Sequence, residues 1–352
     1  MTAKNKLRVA VVGATGYTGA ELIRILSRHP GVELSVLTAR AMAGRPARSV
    51  FPHLGPEVGG KVLEPFDPDE IAARVDAAFL ALPHGASAEF GAQLYKRGVR
   101  VFDLSADFRL RSLDTYTQWY GEHPHPELMS AAVYGLPELY REKLRGADLV
   151  AVPGCYPTAT LLALAPLAEA GLISPAGVIA DCKSGVSGAG RSAKTDLLFP
   201  EVGESFKAYA VGSHRHGPEI AQELAAHGAP VPVTFTPHLI PMSRGILATA
   251  YCDLVEGQEL DTPALLDIYR ARYADEPFVE VLGHGELPTT GNVRGSNRAQ
   301  VTVLRHPGTG KVIALSAIDN LVKGAAGQAV QALNLRYGLD ERAGLEQVAL
   351  FP

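Results

Sequence analysis

Cysteine is scarce in this 352-residue chain: Cys155, Cys182 and Cys252 are the only three, odd in number and far apart. That argues against a disulfide framework and a paired-cysteine zinc site, and for a reducing compartment. No run of about 18 apolar residues occurs, so no membrane span is expected. The chain also lacks a run of Lys or Arg, and its formal net charge is −4. Those features exclude the basic face that nucleic acid or an anionic membrane surface would require. The opening Met1-Thr2-Ala3-Lys4-Asn5-Lys6 lacks a secretory pattern. Neither an internal repeat nor a low-complexity tract is present. What is there is 47% hydrophobic and 20% charged, the balance of a folded chain able to bury a sizeable core. A cytoplasmic protein of about two ordinary domains is expected from that length.

Two architectures follow one another. Up to about Val152, short apolar runs (Arg8–Val12, Glu33–Leu37, Ala77–Leu82, Val99–Asp103, Leu149–Val152) alternate with helical patterns at Tyr17–Ser27, Pro68–Val75 and Ala86–Lys96. Such alternation predicts βαβ units and a mostly parallel sheet in a domain over 1–152. After a helix at about Thr158–Ala170, the strand-like segments Val178–Ser184, Val231–His238, Gly245–Asp253, Ala299–Arg305 and Val312–Ala317 follow mostly without intervening helices. They predict an α+β domain over 153–322 with a mixed, largely antiparallel sheet. A closing C-terminal helix over 323–352, with its helical pattern clearest at Lys323–Arg336, is expected to return to the first domain and complete it. Residues Arg191–Ser213 read as a long loop of the kind that carries function.

Gly13-Ala14-Thr15-Gly16-Tyr17-Thr18-Gly19 follows the first strand and opens the first helix. Glycines there permit a tight turn and let backbone N–H groups approach a pyrophosphate at the helix's positive end. A glycine turn that merely closes a strand–helix joint is the plainer alternative. The second strand ends Leu37-Thr38-Ala39-Arg40, without the carboxylate that accepts ribose hydroxyls in NAD enzymes. Arg40 instead suits a 2′-phosphate, favouring NADP, although a solvated loop arginine would look the same.

Cys155, in Val152-Pro153-Gly154-Cys155-Tyr156-Pro157-Thr158, lies between an apolar run and a helical stretch, and Pro157 suits a first helical turn. A thiol at a helix N-terminus feels unpaired N–H groups that favour the thiolate and can stabilise an oxyanion. Cys182 and Cys252 fall within strands, as small buried hydrophobes do. Gly212-Ser213-His214-Arg215-His216-Gly217-Pro218-Glu219 offers two imidazoles as proton-transfer partners. The same segment also reads as a plain helix start, and no third ligand commits it to a metal. Lys183-Ser184-Gly185-Val186-Ser187-Gly188-Ala189-Gly190-Arg191 and Ser105-Ala106-Asp107-Phe108-Arg109 are candidate anion cradles. Arg109 is expected to project at the carboxyl edge of the sheet.

These residues together resemble the N-acetyl-γ-glutamyl-phosphate reductase family. The matching pieces are Gly13–Gly19, Ser105–Arg109, Pro153–Thr158, Ser184–Arg191, His214–Ile220 and Asp319–Gln328, in the family's order along the whole chain. The resemblance implies a fold like that of glyceraldehyde-3-phosphate and aspartate-semialdehyde dehydrogenases. It implies NADPH-dependent reduction of a small acyl phosphate to an aldehyde through a Cys155 thioester, within arginine biosynthesis. It assigns proton transfer to His214 or His216 and the cofactor to Gly13, Thr15, Gly16, Tyr17, Thr18, Gly19, Thr38, Arg40, Ser187, Gly188, Asn320 and Lys323. Arg109, Ser184, Arg191 and Glu219 would face the substrate, no metal is implied, and subunits would form a homodimer or homotetramer through the second domain. The nearest rival acts on carrier-protein-bound aminoadipyl phosphate in lysine synthesis. That relative has Asn-Ala in place of Tyr156-Pro157 and lacks the glycine-serine loop. A non-redox thiol acyltransferase or hydrolase, or a non-catalytic NADP sensor, would be a different class.

Overall fold

The computed structural model describes residues 6–351, and the opening Met1–Asn5 lies outside the described residues. The chain divides into two compact units. The first runs to Gly154 and takes up Ala325–Glu346; the second is Cys155–Gly324 with the tail from Gln347.

The first unit holds β1 (Leu7–Val12), α1 (Tyr17–Leu26), β2 (Val32–Thr38), α2 (Pro56–Gly59), α3 (Pro68–Arg74), β3 (Ala77–Leu80), α4 (Ala86–Tyr95), β4 (Arg100–Asp103), α5 (Leu113–Tyr120), β5 (Ala132–Tyr134), α6 (Pro137–Leu144) and β6 (Leu149–Ala151). Its sheet has the order β2-β1-β3-β4-β6-β5, with every pair parallel. Helices cover both faces of such a sheet, so its strands read as unbroken apolar runs. Val9–Val12 and Ala77–Leu80 are accordingly buried throughout. The strand order reverses at β1, flanked by β2 and β3, which is where open α/β sheets bind ligands. The last helix, α11 (Gly327–Arg336), packs on α1 and α6. Its Asn334 Oδ1 lies 2.9 Å from His29 Nε2.

The second unit holds α7 (Cys155–Glu169), β7 (Ile173–Gly185), α8 (Phe199–Val202), β8 (Lys207–Ala208), α9 (His216–Ala226), β9 (Val233–Ile240), β10 (Ile246–Leu254), α10 (Thr262–Tyr273), β11 (Val279–Val281), β12 (Ala299–Arg305) and β13 (Val312–Ile318). Its seven strands run β11-β12-β13-β10-β7-β9-β8, mixed in direction. Alternation sorts the sheet's faces. Val178, Ala180, Cys182 and Ser184 are buried, as are Ile246, Ala248, Ala250 and Cys252. Helix α7 packs against β10 and β13, and Tyr273 Oη of α10 donates to Leu162 O at 2.7 Å. The intervening residues, among them Ile179, Leu247, Tyr251 and Ile313, lie on a half-open face.

Several elements differ from the sequence reading. Helix α7 begins at Cys155 itself; Pro157 in its first turn lacks an N–H that would have had no intrahelical partner there. Helices α9 and α10 interrupt the strands of the second unit. The segment 191–213 is no bare loop: it carries a 3₁₀ turn (Thr195–Leu197), α8 opened by Pro200, and β8 paired with β9. The closing helix ends at Arg336, follows a π-turn at Val322–Ala326, and does not extend across 337–351.

Candidate active site

In the first unit the chain turns from β1 into α1 through Gly13, whose φ of +85° excludes most side chains; a Cβ there would stand 2.6 Å from Ala81 O. Gly13 N donates to Thr38 Oγ1 (3.3 Å) and Ala14 N to Thr38 O (2.9 Å). Thr38 thus braces the turn from the end of β2. Gly16 is the N-cap of α1 and supplies no side-chain cap; a Cβ built on it would meet nothing within 4 Å. The helix start is flanked by half-buried Thr15 and Thr18 and exposed Tyr17. Gly19 is buried in the first turn, and Arg40 is exposed two residues beyond β2. Arg109 lies at the carboxyl edge of the sheet, against the chain just beyond β4 and β6. It is 8% exposed, and its guanidinium donates to Val152 O and Leu104 O, each at 2.8 Å. These bonds turn it inward as a brace.

In the second unit Cys155 is half-buried at the first residue of a fifteen-residue helix, where N–H groups without intrahelical partners favour an anion. Cys182 and Cys252 are buried, and burial pushes both thiols up to about 12. The chain closes tightly over Cys155: a Cβ on Gly324 would lie 2.8 Å from the Cβ of Cys155.

His214 stands in an aromatic cage. The rings of Tyr156, Tyr209, Phe235 and His216 lie 4.7–5.6 Å from it. Tyr209 Oη donates to Tyr156 Oη (3.1 Å), which donates to His238 O (3.0 Å). His214 Nδ1 accepts the backbone N–H of His216 at 3.1 Å, so the neutral ring carries its proton on Nε2. Burial, with Arg215 adding repulsion, pushes the imidazole down to about 4. His216 is the first residue of α9 and packs edge-on against Tyr156. Glu219, 1% exposed, sits in the first turn of α9, where its charge favours the helix dipole.

The remaining site residues converge in the same unit. Asn320, 2% exposed, donates to Ser187 Oγ (2.9 Å) and accepts from Gly245 N (2.8 Å). A Cβ at Gly188 would touch Ser184 Oγ and Asn320 Nδ2, so these groups share one wall. Ser184 Oγ donates to Gly185 O at 3.0 Å. Lys323 is fully buried with its ammonium 5.8 Å from the Phe278 centroid. Arg191, by contrast, is exposed beyond the loop. Sequence reasoning did not single out Tyr209, Phe235 and Arg244, and gave no role to Asp319 and Gly324 within the Asp319–Gln328 piece. A glycine behind Lys323 and an arginine opening β10 through Gly245 are the faint signals they leave.

A glycine turn at the reversal point of a parallel sheet, with a half-buried thiol opening a helix of a mixed-sheet unit, defines a dehydrogenase-type chain. Two family models agree: "Semialdehyde dehydrogenase, NAD binding domain" matches residues 8–147, and "Semialdehyde dehydrogenase, dimerisation domain" matches residues 155–320. The fold is that of aspartate semialdehyde dehydrogenase II from Vibrio cholerae, with a TM-score of 0.73 at 19% identity, covering 95% of this chain and 99% of that one. The N-acetyl-gamma-glutamyl-phosphate reductase of Magnetococcus marinus is 52% identical over 98% of this chain and 99% of its own length. That of Heliobacterium modesticaldum is 50% identical over 98% and 100%. This chain belongs to the N-acetyl-gamma-glutamyl-phosphate reductase family.

Proposed function

We propose that this protein reduces N-acetyl-γ-glutamyl phosphate to N-acetylglutamate 5-semialdehyde with NADPH, through a Cys155 thioester, in arginine biosynthesis. The observation that carries this reading is the half-buried Cys155 at the start of α7, in the unit that also fixes a neutral His214. The glycine turn fits the cofactor: α1 opens at Gly16 without a side-chain cap and with space beside that residue, which suits a pyrophosphate. Arg40 suits the 2′-phosphate. When bound, NADPH supplies the hydride.

The Cys155 thiolate attacks the acyl carbon; a C–S bond forms, the C–O bond to phosphate breaks, and phosphate leaves. Reduction at the thioester carbon gives a second tetrahedral oxyanion, whose collapse breaks the C–S bond, releases the aldehyde and restores the thiolate. Where the sequence suggests a histidine that protonates the oxyanion, the geometry supports a neutral donor. His214, with Nδ1 engaged, offers Nε2–H as a hydrogen bond to developing negative charge. His216 orients it. Tyr156 closes the cage at the position where the lysine-synthesis relative has Asn, which favours the arginine-type substrate.

We also read the half-open face of the second sheet as the surface through which copies form a dimer or tetramer. No described helix is long and apolar enough to cross a membrane, and the cysteine usage supports a cytoplasmic location.

The test runs in reverse. With phosphate and NADP, N-acetylglutamate semialdehyde should raise NADPH absorbance far faster than aspartate semialdehyde. The opposite preference would overturn the assignment.

A further inference from the structure

Resting on the reading above, we infer that Arg244 recognises the α-carboxylate of the acyl substrate, aimed by the buried carboxylate of Asp319. Arg244 belongs to the turn Pro241-Met242-Ser243-Arg244-Gly245, which opens β10. That turn is bonded to the serine loop: Val186 N donates to Met242 O, Ser187 N to Ser243 O and Gly185 N to Gly245 O, at 2.9–3.1 Å. A Cβ at Gly185 would lie 2.8 Å from Arg244 N, so the two backbones are in direct contact. Asn320 then ties Gly245 to Ser187. Arg244 is thereby built into the polar wall formed by Ser184, Ser187 and Asn320. The segment that carries Asp319, the partner of Arg244, also reaches Cys155, because Gly324 N donates to Asp319 O at 2.9 Å and a Cβ on Gly324 would lie 2.8 Å from the Cys155 Cβ.

The ion pair is unequal. Asp319 is fully buried, and its charge is met chiefly by backbone: Gly295 N at 2.7 Å, Leu321 N at 2.8 Å and Val322 N at 3.2 Å. Arg244 Nη1 stands 3.4 Å from Oδ2, longer than the ~2.7–2.9 Å of a full charge-assisted bond. Asp319 thereby helps to orient the guanidinium. The side chain remains 28% exposed, partly desolvated yet reachable, and a preorganised cation of this kind binds a carboxylate more strongly than a solvated one. Arg191 and Arg215 of the same unit are more exposed. The substrate's α-carboxylate is the anion that persists after phosphate has left, so it needs a partner of its own.

The test compares two aldehydes in the oxidative direction with phosphate and NADP: N-acetylglutamate semialdehyde and 4-acetamidobutanal, its analogue without the carboxylate. In Arg244→Met, kcat/KM for the first should fall on the order of 10- to 100-fold, while the second is unchanged. Arg244→Lys should restore part of the selectivity. Asp319→Asn should reduce the same ratio, and adding it to Arg244→Met should lower the ratio no further. Because both aldehydes are read on one sample, the ratio is independent of how much protein is folded. An unchanged ratio in Arg244→Met, whether both activities fall or neither does, overturns the inference. A folded wild-type enzyme that ignores N-acetylglutamate semialdehyde overturns the underlying reaction as well.

Discussion

At the scale of single residues, His214 and His216 are separated by what surrounds them, and the sequence could not choose between them. Both lie two positions apart in one motif. Only the fold brings Tyr156 from α7, Tyr209 from beyond β8 and Phe235 from β9 around one of the rings. Cys155, by contrast, was legible, because Gly154 before it and Pro157 after it mark a strand-to-helix joint whatever the packing. His214→Asn should lower turnover by about 10- to 1000-fold, the range for a preorganised donor, with His216→Asn milder; steady-state rates compare them. The imidazole also leaves a signature in stability. Its native pKa lies near 4 and its unfolded value near 6.5. Between those values the unfolded chain binds a proton that the native state refuses, so stability falls as pH drops through that window. His29 and His123, both lowered by burial, act in the same direction. Melting temperatures from pH 7 to 4.5 should fall less steeply in His214→Asn than in wild type.

At the scale of elements, the parallel strands were readable because burial on both faces leaves uninterrupted apolar runs. Elements stabilised by partners distant in sequence were not. Two-residue β8 has no period to detect and exists through pairing Lys207 with Leu239 and Ala208 with His238. The backbone bonds of Arg109 were not legible, because a loop arginine and an arginine folded onto backbone carbonyls have the same sequence context. The β1–α1 turn was read from its glycines, and the structure supplies the steric reason at Gly13. Gly13→Ala would place a methyl group 2.6 Å from Ala81 O at a φ of +85°. A loss of about 1–3 kcal/mol in urea unfolding is expected, together with weaker NADPH binding in a fluorescence titration. Unchanged affinity would separate the turn from the cofactor.

At the scale of the whole molecule, the two units use opposite sheet designs, and only the second leaves a face half open. Along β7, β10 and β13 that face carries Ile179, Leu247, Tyr251 and Ile313, with Ile179 52% exposed. Sequence alternation marks such a face without saying what covers it. If copies of this chain do, Ile179→Asp should shift the protein toward monomer in analytical ultracentrifugation. A protein that keeps its sedimentation coefficient would place the interface elsewhere.

Helix α7 joins these scales. Cys155 is its first residue, and every residue from Tyr156 to Ala168 is buried at the centre of the second unit. The nucleophile is thus mounted on the innermost timber of the unit rather than on a surface strap. Heating that loosens this helix is expected to loosen the second unit with it. Loss of catalysis and loss of structure would arrive together, and the residual activity of a warmed sample would count the molecules still intact.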